Sequence, residues 1–472
     1  MRTSQRVFKN FLSLGFAEVV TRVLSTILTI YIARSLGANV FGQLAFATAF
    51  TSYFALFSDF GLTTLGIREI AKDRSKTNYL ATNITVLQIG LAVLLTTLMG
   101  VLLIFIPLNI NLKLLTFLFG LSMIPNALSL GYVFEAHERM EFTAVSRIAI
   151  QVITLIIAFV FIYLTKNILV VPFAQFLSGL IAVILVFILL RMHLSFSLTR
   201  IDLEKTKVLF YQAIPFVVAT LSTNLYYTFD SVFIQFAKGS EAVGYYSAGY
   251  KIVLLLVSIA RFFQAAIYPT LTSLLKSNPE KVNSLINQTS KLLIFLSVPL
   301  AVGGTVLARP IIDTIYGEAY QQSVLPFQVL IWSIFTIFVN VSFGTFLLAS
   351  GHEKQYMKST VVGSLLNIVF ISLLIPTLGL FGAALATMVT EFYVLASFYY
   401  YTRKIIKVGV LKKIGQAFFA ALLMAFVLIF LNLNIYFLII TGAGVYLVLI
   451  ILLGFIEKSD ILFLFSILKR TK

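Results

Sequence analysis

Apolar windows of about 20 residues recur from one end of this chain to the other, separated by short polar stretches. Coiled as a helix, a window of that length crosses the roughly 30 Å hydrocarbon core of a bilayer. The windows are 11–33, 42–60, 82–106, 114–134, 144–164, 168–190, 208–236, 243–268, 292–312, 324–349, 357–376, 380–402, 414–431 and 435–456. They predict an all-α polytopic membrane protein with about 14 transmembrane helices. Pro125, Pro172, Pro215 and Pro299 fall inside windows, which membrane helices tolerate when neighbours satisfy the freed backbone groups.

Two short patterns occur twice, in the same order. LGANVFGQLAFA carries Gly37 and Gly42, and KGSEAVGYYSAG carries Gly239 and Gly244 at the same spacing. AHERMEF at 136–142 is echoed by GHEKQYM at 351–357. The two offsets are similar, and each pair sits at equivalent points in the order of spans. A duplication accounts for both: one six-helix lobe over 1–200, a second over 206–402, then two extra helices over 403–457. Six is even, so the lobes share one orientation, as parallel repeats do. In the tail, 458–472, the run ILFLFSIL is too short to cross and is expected at the interface on the cytoplasmic side.

The chain has 472 residues, 60% hydrophobic and 11% charged, with a formal net charge of +17. In a soluble protein that charge would point to nucleic acid. Here topology places it. With a cytoplasmic N-terminus, the only Lys and Arg in outside segments are Arg34, Lys113, Lys166, Lys238 and Arg309; Arg22, Lys251 and Arg261 lie within spans. All others face inward, as the positive-inside rule requires, and both termini are cytoplasmic. Attraction to anionic membrane lipids follows, and nucleic acid is not implied. Arg2, Arg6 and Lys9 before the first window read as the start of a signal anchor that is retained.

Cysteine is absent, and His137, His193 and His352 fall in loops without ligand spacing, so no metal site, cofactor or catalytic residue is expected. No outer loop exceeds about a dozen residues; the longest connections, near 191–207 and 269–291, face inward. A membrane polymerase or ligase presents a large outer catalytic loop, and this chain has none.

Charge inside a membrane costs several kcal/mol and faces the bundle interior or a wet cavity. Glu18 and Arg22 lie one turn apart on the first span, with Arg22 roughly 16 Å deep. Their order favours a local ion pair, either fixing helix packing or lining a cavity. Asp230 and Lys251 both fall about 10–12 Å below the outer surface, forming either a hairpin clasp or a site where Lys251 meets an anion or Asp230 a cation. Arg261 lies near the inner end of its span, within reach of the surface. Glu391, mid-span, is either neutral or a proton or cation site. Asp59 and Asp313, at span ends, read as solvated. Tyr226–Tyr227, Tyr245–Tyr246 and Tyr399–Tyr401 read as interfacial belts, with stacking on sugar rings as an alternative for the first two pairs.

Four stretches, in order, resemble the polysaccharide and O-antigen flippase family: ARSLGANVFGQLAFA, SDFGLTTLGIREIAKD, AIPFVVATLSTNLYYTFDSVFIQFAKGSEAVGYYSAGYKI and VPLAVGGTVLARPIIDTIYGEAYQQSVLPFQVL. The resemblance covers about 7–400. That family belongs to the multidrug/oligosaccharidyl-lipid/polysaccharide exporter superfamily, whose members alternate between inward- and outward-facing states. The resemblance implies a flippase, not an enzyme. Its cargo would be a polyprenyl-(pyro)phosphate-linked oligosaccharide, carried across the cytoplasmic membrane for cell-surface polysaccharide biosynthesis. Its partners would be that substrate, membrane lipids and other polysaccharide assembly proteins. Cavity cations suit a pyrophosphate, and Arg22, Lys251 and Arg261 are the positions here that match that need. Some members couple transport to Na+ or H+, for which Glu18, Asp230 and Glu391 are the acids in place. The alternative is an ion-coupled multidrug exporter of the same superfamily.

Overall fold

The computed structural model describes residues 3–409 and 411–455. The tail 458–472, the side chains of Arg2, Arg6 and Lys9, and those of Tyr226 and Tyr227 lie outside what it describes. Every regular element among the described residues is helical. Among these residues, eleven stretches are long and apolar enough to cross a membrane. Two of them turn at a glycine: Gly37 (φ 81°, ψ 173°) inside α1, Thr3–Asp59, and Gly379 (φ 59°, ψ −135°) inside α15, Glu353–Arg403. A side chain is disfavoured at these positive φ values, so one glycine replaces a loop between two spans. The chain forms two compact units, residues 1–244 and 245–472.

In the first unit, α1 ends at Phe60 and Gly61, both with positive φ, and the chain turns into the short α2, Leu62–Lys72. Leu62, Leu65 and Ile70 bury one face of α2 while Arg68 and Lys72 stay exposed. The Asp73 side chain accepts from Ser75 N and opens the turn into α3, Thr77–Phe105. Hydrogen bonds from Ser75, with Lys76 alongside, hold this exposed carboxyl down at about 2. The window 114–134 is not one helix. It divides into α4, Ile110–Leu121, α5, Met123–Ala127, and α6, Gly131–Ala136. Pro125 lacks an N–H to continue the ladder, and the chain breaks on either side of that short helix.

Two long helices complete the outer wall of this unit: α7, Met140–Thr165, and α8, Val170–Leu194. They are clamped by Thr154 and Ser178, whose buried hydroxyls lie 2.6 Å apart. Such a bond between membrane helices contributes about 0.6 kcal/mol. The last helix, α9, Leu203–Lys238, is reached by a connection pinned to α3. Tyr79 OH donates to Asp202 Oδ2 at 2.6 Å, Thr199 N to Thr82 Oγ1 at 3.1 Å and Asp202 N to Asn83 Oδ1 at 2.8 Å. Positions 79, 82 and 83 share a helix face, so α3 offers that extended chain a polar edge.

The second unit takes over α10, Ser240–Ser277, from Tyr245 onward. The inner connection expected near 269–291 is helical except for Asn278, because α11, Pro279–Val306, starts immediately, with Pro at its first turn and the Asn278 side chain as cap. Short α12, Ala308–Tyr316, and α13, Val324–Leu330, precede α14, Ser333–Ala349, so the windows 292–312 and 324–349 are also interrupted. The two arms of α15 close on each other through Ser359 and Ser397, 2.6 Å apart, and through Gly363, where a Cβ would lie 2.8 Å from Val394. The final pair, α16, Leu411–Phe430, and α17, Ile435–Leu452, packs on α11 through Met424, Leu428 and Tyr446.

Candidate functional site

On α1, Arg22 Nε donates to Glu18 Oε1 at 2.6 Å, with side-chain exposures of 32% and 46%. The pair sits on a stripe of hydroxyls turned back onto their own helix. Thr26 donates to Arg22 O at 2.8 Å and Thr29 to Ser25 O at 2.6 Å. Residues 18, 22, 26 and 29 repeat at helical spacing, and all are half-buried. A polar, half-accessible stripe along a membrane span marks a wet face. The sequence reading took only its two charges, although the i, i+4 recurrence of Thr and Ser behind them carried the rest.

Arg22 meets Glu18 through Nε alone. A guanidinium has four further N–H donors on its terminal nitrogens, the pair that grips a phosphate in bidentate fashion. The ion pair therefore fixes the side chain without consuming its recognition edge.

A second polar group joins α1 to α9. Ser52 Oγ donates to Asn224 Oδ1 at 3.0 Å, and Thr228 Oγ1 donates to Tyr53 OH at 2.9 Å. Sequence reasoning missed these residues because each is uncharged and looks ordinary within an apolar window. Asp230, farther along α9, is 2% exposed.

In the second unit, Glu391 on α15 is 4% exposed and accepts from Asn340 Nδ2 of α14 at 3.3 Å. One turn away, Thr387 lies 3.3 Å from Tyr246 OH. Lys251 is half-buried and Arg261 exposed. Tyr245 and Tyr246 are 8% and 0% exposed, packed as interior side chains rather than as sugar platforms.

The two span-end acids differ in setting from the solvated reading. Asp59 Oδ2 accepts from Gly61 N at 3.1 Å; its Oδ1 accepts from Thr63 and from Gln88 Nε2 at 2.8 Å. It caps α2 and ties it to α3. Asp313 pairs with Arg309 one turn earlier, at 3.6 Å. No group of three or more His, Cys, Asp or Glu side chains suited to a metal occurs among the described residues.

Helices long and apolar enough to cross a membrane, several of them carrying polar and charged side chains, define a multi-pass membrane protein. A family profile described as "Polysaccharide biosynthesis protein" matches residues 7–275, and a MatE profile matches 215–373. The chain belongs to the polysaccharide biosynthesis protein family, within the multidrug/oligosaccharidyl-lipid/polysaccharide exporter superfamily. Its relatives are transporters, not enzymes. A putative O-antigen transporter of Escherichia coli (strain K12) is 22% identical over 369 residues, 76% of this chain and 88% of that one. Among solved structures, lipid II flippase MurJ in an inward closed conformation superposes with a TM-score of 0.74 at 14% identity, covering 92% of this chain and 97% of that one. An inward-facing multidrug resistance transporter of the MATE family gives 0.63 at 15% identity, covering 81% and 94%.

Proposed function

We propose that this protein flips a polyprenyl-(pyro)phosphate-linked oligosaccharide from the inner to the outer leaflet of the cytoplasmic membrane, by alternating access, for cell-surface polysaccharide assembly. Two six-helix halves, 1–200 and 206–402, carry the cycle; the helices over 403–457 are additions, and both termini are cytoplasmic. The observation behind this reading is the half-accessible Arg22, held by Glu18 through one nitrogen on a hydroxyl-lined stripe. Such a cation suits a diphosphate, and the hydroxyls suit water or sugar beside it. Lys251 and Arg261 supply further positive charge. Membrane lipids and other polysaccharide assembly proteins are its expected neighbours.

The test is export of surface glycan in cells that depend on this protein. Arg22→Ala and Lys251→Ala should each lower export at least tenfold with protein abundance near normal. Wild-type export in both variants would remove these residues from the site.

For coupling, Glu391 beside Asn340 is the best-defined buried acid, with buried Asp230 and half-exposed Glu18 as the other two candidates. Flux in proteoliposomes should respond to an imposed Na+ or pH gradient; indifference to both would leave the acids without that role. The same buried acid supports the second reading, a multidrug exporter, since an anionic interior suits cationic drugs. Resistance to cationic dyes that rises with expression, without any change in glycan export, would favour that reading.

A further inference from the structure

The segment 38–59 of α1 lies along α9 and the first turn of α10, and its contacts differ in kind from one end to the other. At the outer end a Cβ on Gly42 would sit 1.7 Å from the Ser240 carbonyl oxygen and 2.7 Å from Gly244 N. A Cβ on Gly244 would sit 2.0 Å from the Ala38 carbonyl oxygen. The arrangement is reciprocal: Ala38 and Gly42 belong to the first Gly-x4-Gly turn, Ser240 and Gly244 to its second copy, and the two copies pair residue for residue. Backbone touches backbone at this end, and no L side chain fits at either glycine.

Farther inward, Phe46 and Phe236 meet edge to face at 5.8 Å. Then come the Ser52–Asn224 and Thr228–Tyr53 hydrogen bonds, all four residues half-buried. At the inner end Phe60 stacks on Phe210 at 4.3 Å, and a Cβ on Gly61 would lie 2.6 Å from that of Phe216. The clamp between α7 and α8 has another character, because Thr154 and Ser178 are both buried. Bonds at half-buried hydroxyls and amides exchange for water with little net change. Flat glycine contacts gain close van der Waals packing when shut, yet leave no interlocked side chain to withdraw when parted.

We infer that this seam is reversible, and that the Gly42–Gly244 contact is the outer closing point of the transport path. The inference rests on the transporter reading, because a seam that parts needs cargo to pass. With the contact shut, the outer end of 38–59 is held against α10. Cargo leaves outward when that contact opens while Phe60 and Phe210 stay stacked.

The chain has no cysteine, so introduced pairs report without background. Phe46→Cys with Phe236→Cys marks the outer half, and Phe60→Cys with Phe210→Cys the inner end. Bifunctional thiosulfonate cross-linking in native membranes should join the outer pair and lower glycan export at least tenfold, with recovery on reduction. Undiminished export with the outer pair fully joined would overturn the inference. Gly42→Val and Gly244→Val, each in the outer-pair background, should cut the cross-linking yield at least fivefold and expose Phe46→Cys, at a fully buried position, to an impermeant thiol reagent from outside. Unchanged yield and labelling would also overturn it. Should either valine variant fail to accumulate, the cross-link on native glycines decides alone. Yield and labelling need no cargo. If they respond to valine while glycan export never depends on the protein, the seam stands and the assigned cargo falls.

Discussion

Asp59, where α1 ends, accepts a hydrogen bond at 2.8 Å from Gln88 of α3. The same carboxylate takes Gly61 N and Thr63, so one side chain fixes the turn out of α1, the start of α2 and the distance to α3. Replacing Asp59 by Ala removes a cap and a charged acceptor together and should destabilise the fold by about 2 kcal/mol. Asp59→Asn keeps one oxygen and should lose about half as much. Thermal unfolding of detergent-solubilised protein measures both; equal stability of all three forms would deny Asp59 this role.

The connection between α8 and α9 hangs on α3 by few bonds, and Arg200 lies within it as a tryptic site. Tyr79→Phe removes the 2.6 Å bond to Asp202. With about 1 kcal/mol lost, local opening and cleavage after Arg200 should rise roughly fivefold. Cleavage at the native rate would mean that the remaining bonds hold the segment without it.

His137 lies where α6 gives way to α7, with Nε2 2.9 Å from Thr77 Oγ1. Burial lowers its pKa below the usual 6.5, and the Arg74 and Arg139 guanidinium charges add to this. The neutral ring is the folded form. Its contribution to stability is complete above about pH 6.5; as pH falls from there, the unfolded chain takes up the proton first, and that contribution is lost as pH passes the folded value. Site-resolved carbethoxylation should give a midpoint below 6.5, moving upward in Arg139→Ala. A midpoint at or above 6.5 in the native protein contradicts this account.

Glu391 and Asn340 separate stability from coupling. Glu391→Gln retains an oxygen for the Asn340 amide and should unfold near the native temperature. Glu391→Leu strands a buried donor and should lose about 1–3 kcal/mol. If Glu391 carries the coupling proton, the Gln variant stays folded yet no longer answers an imposed pH gradient. A full response in that variant assigns the acid to packing alone.

The membrane-crossing architecture was legible because bilayer thickness and helical rise dictate window length, and the Glu18–Arg22 contact because four residues make one turn. The breaks at Ser122, Leu307 and around Trp332 were not, since apolar composition continues through them while the backbone changes course. The run of Phe and Leu about Pro125 illustrates this: hydropathy reports the solvent a segment prefers, whereas the break depends on one missing N–H. Asp59 was misjudged for a related reason. Its partner Gln88 is far along the chain, and a lone acid at a span end gives no local sign of a distant amide. The hydroxyl stripe behind Arg22 and the Ser52–Asn224 rung lay hidden because Ser, Thr and Asn alter an apolar average very little.

The meeting of the two Gly-x4-Gly turns has the form of an isologous interface carried within one polypeptide. In a symmetric dimer, residue i of one subunit meets j of the other while j meets i; here Ala38 and Gly42 stand toward Gly244 and Ser240 in that relation. A single surface is therefore complementary to its own copy. Any change of shape in one turn must be answered in the other, which binds two distant stretches of the sequence into one steric constraint.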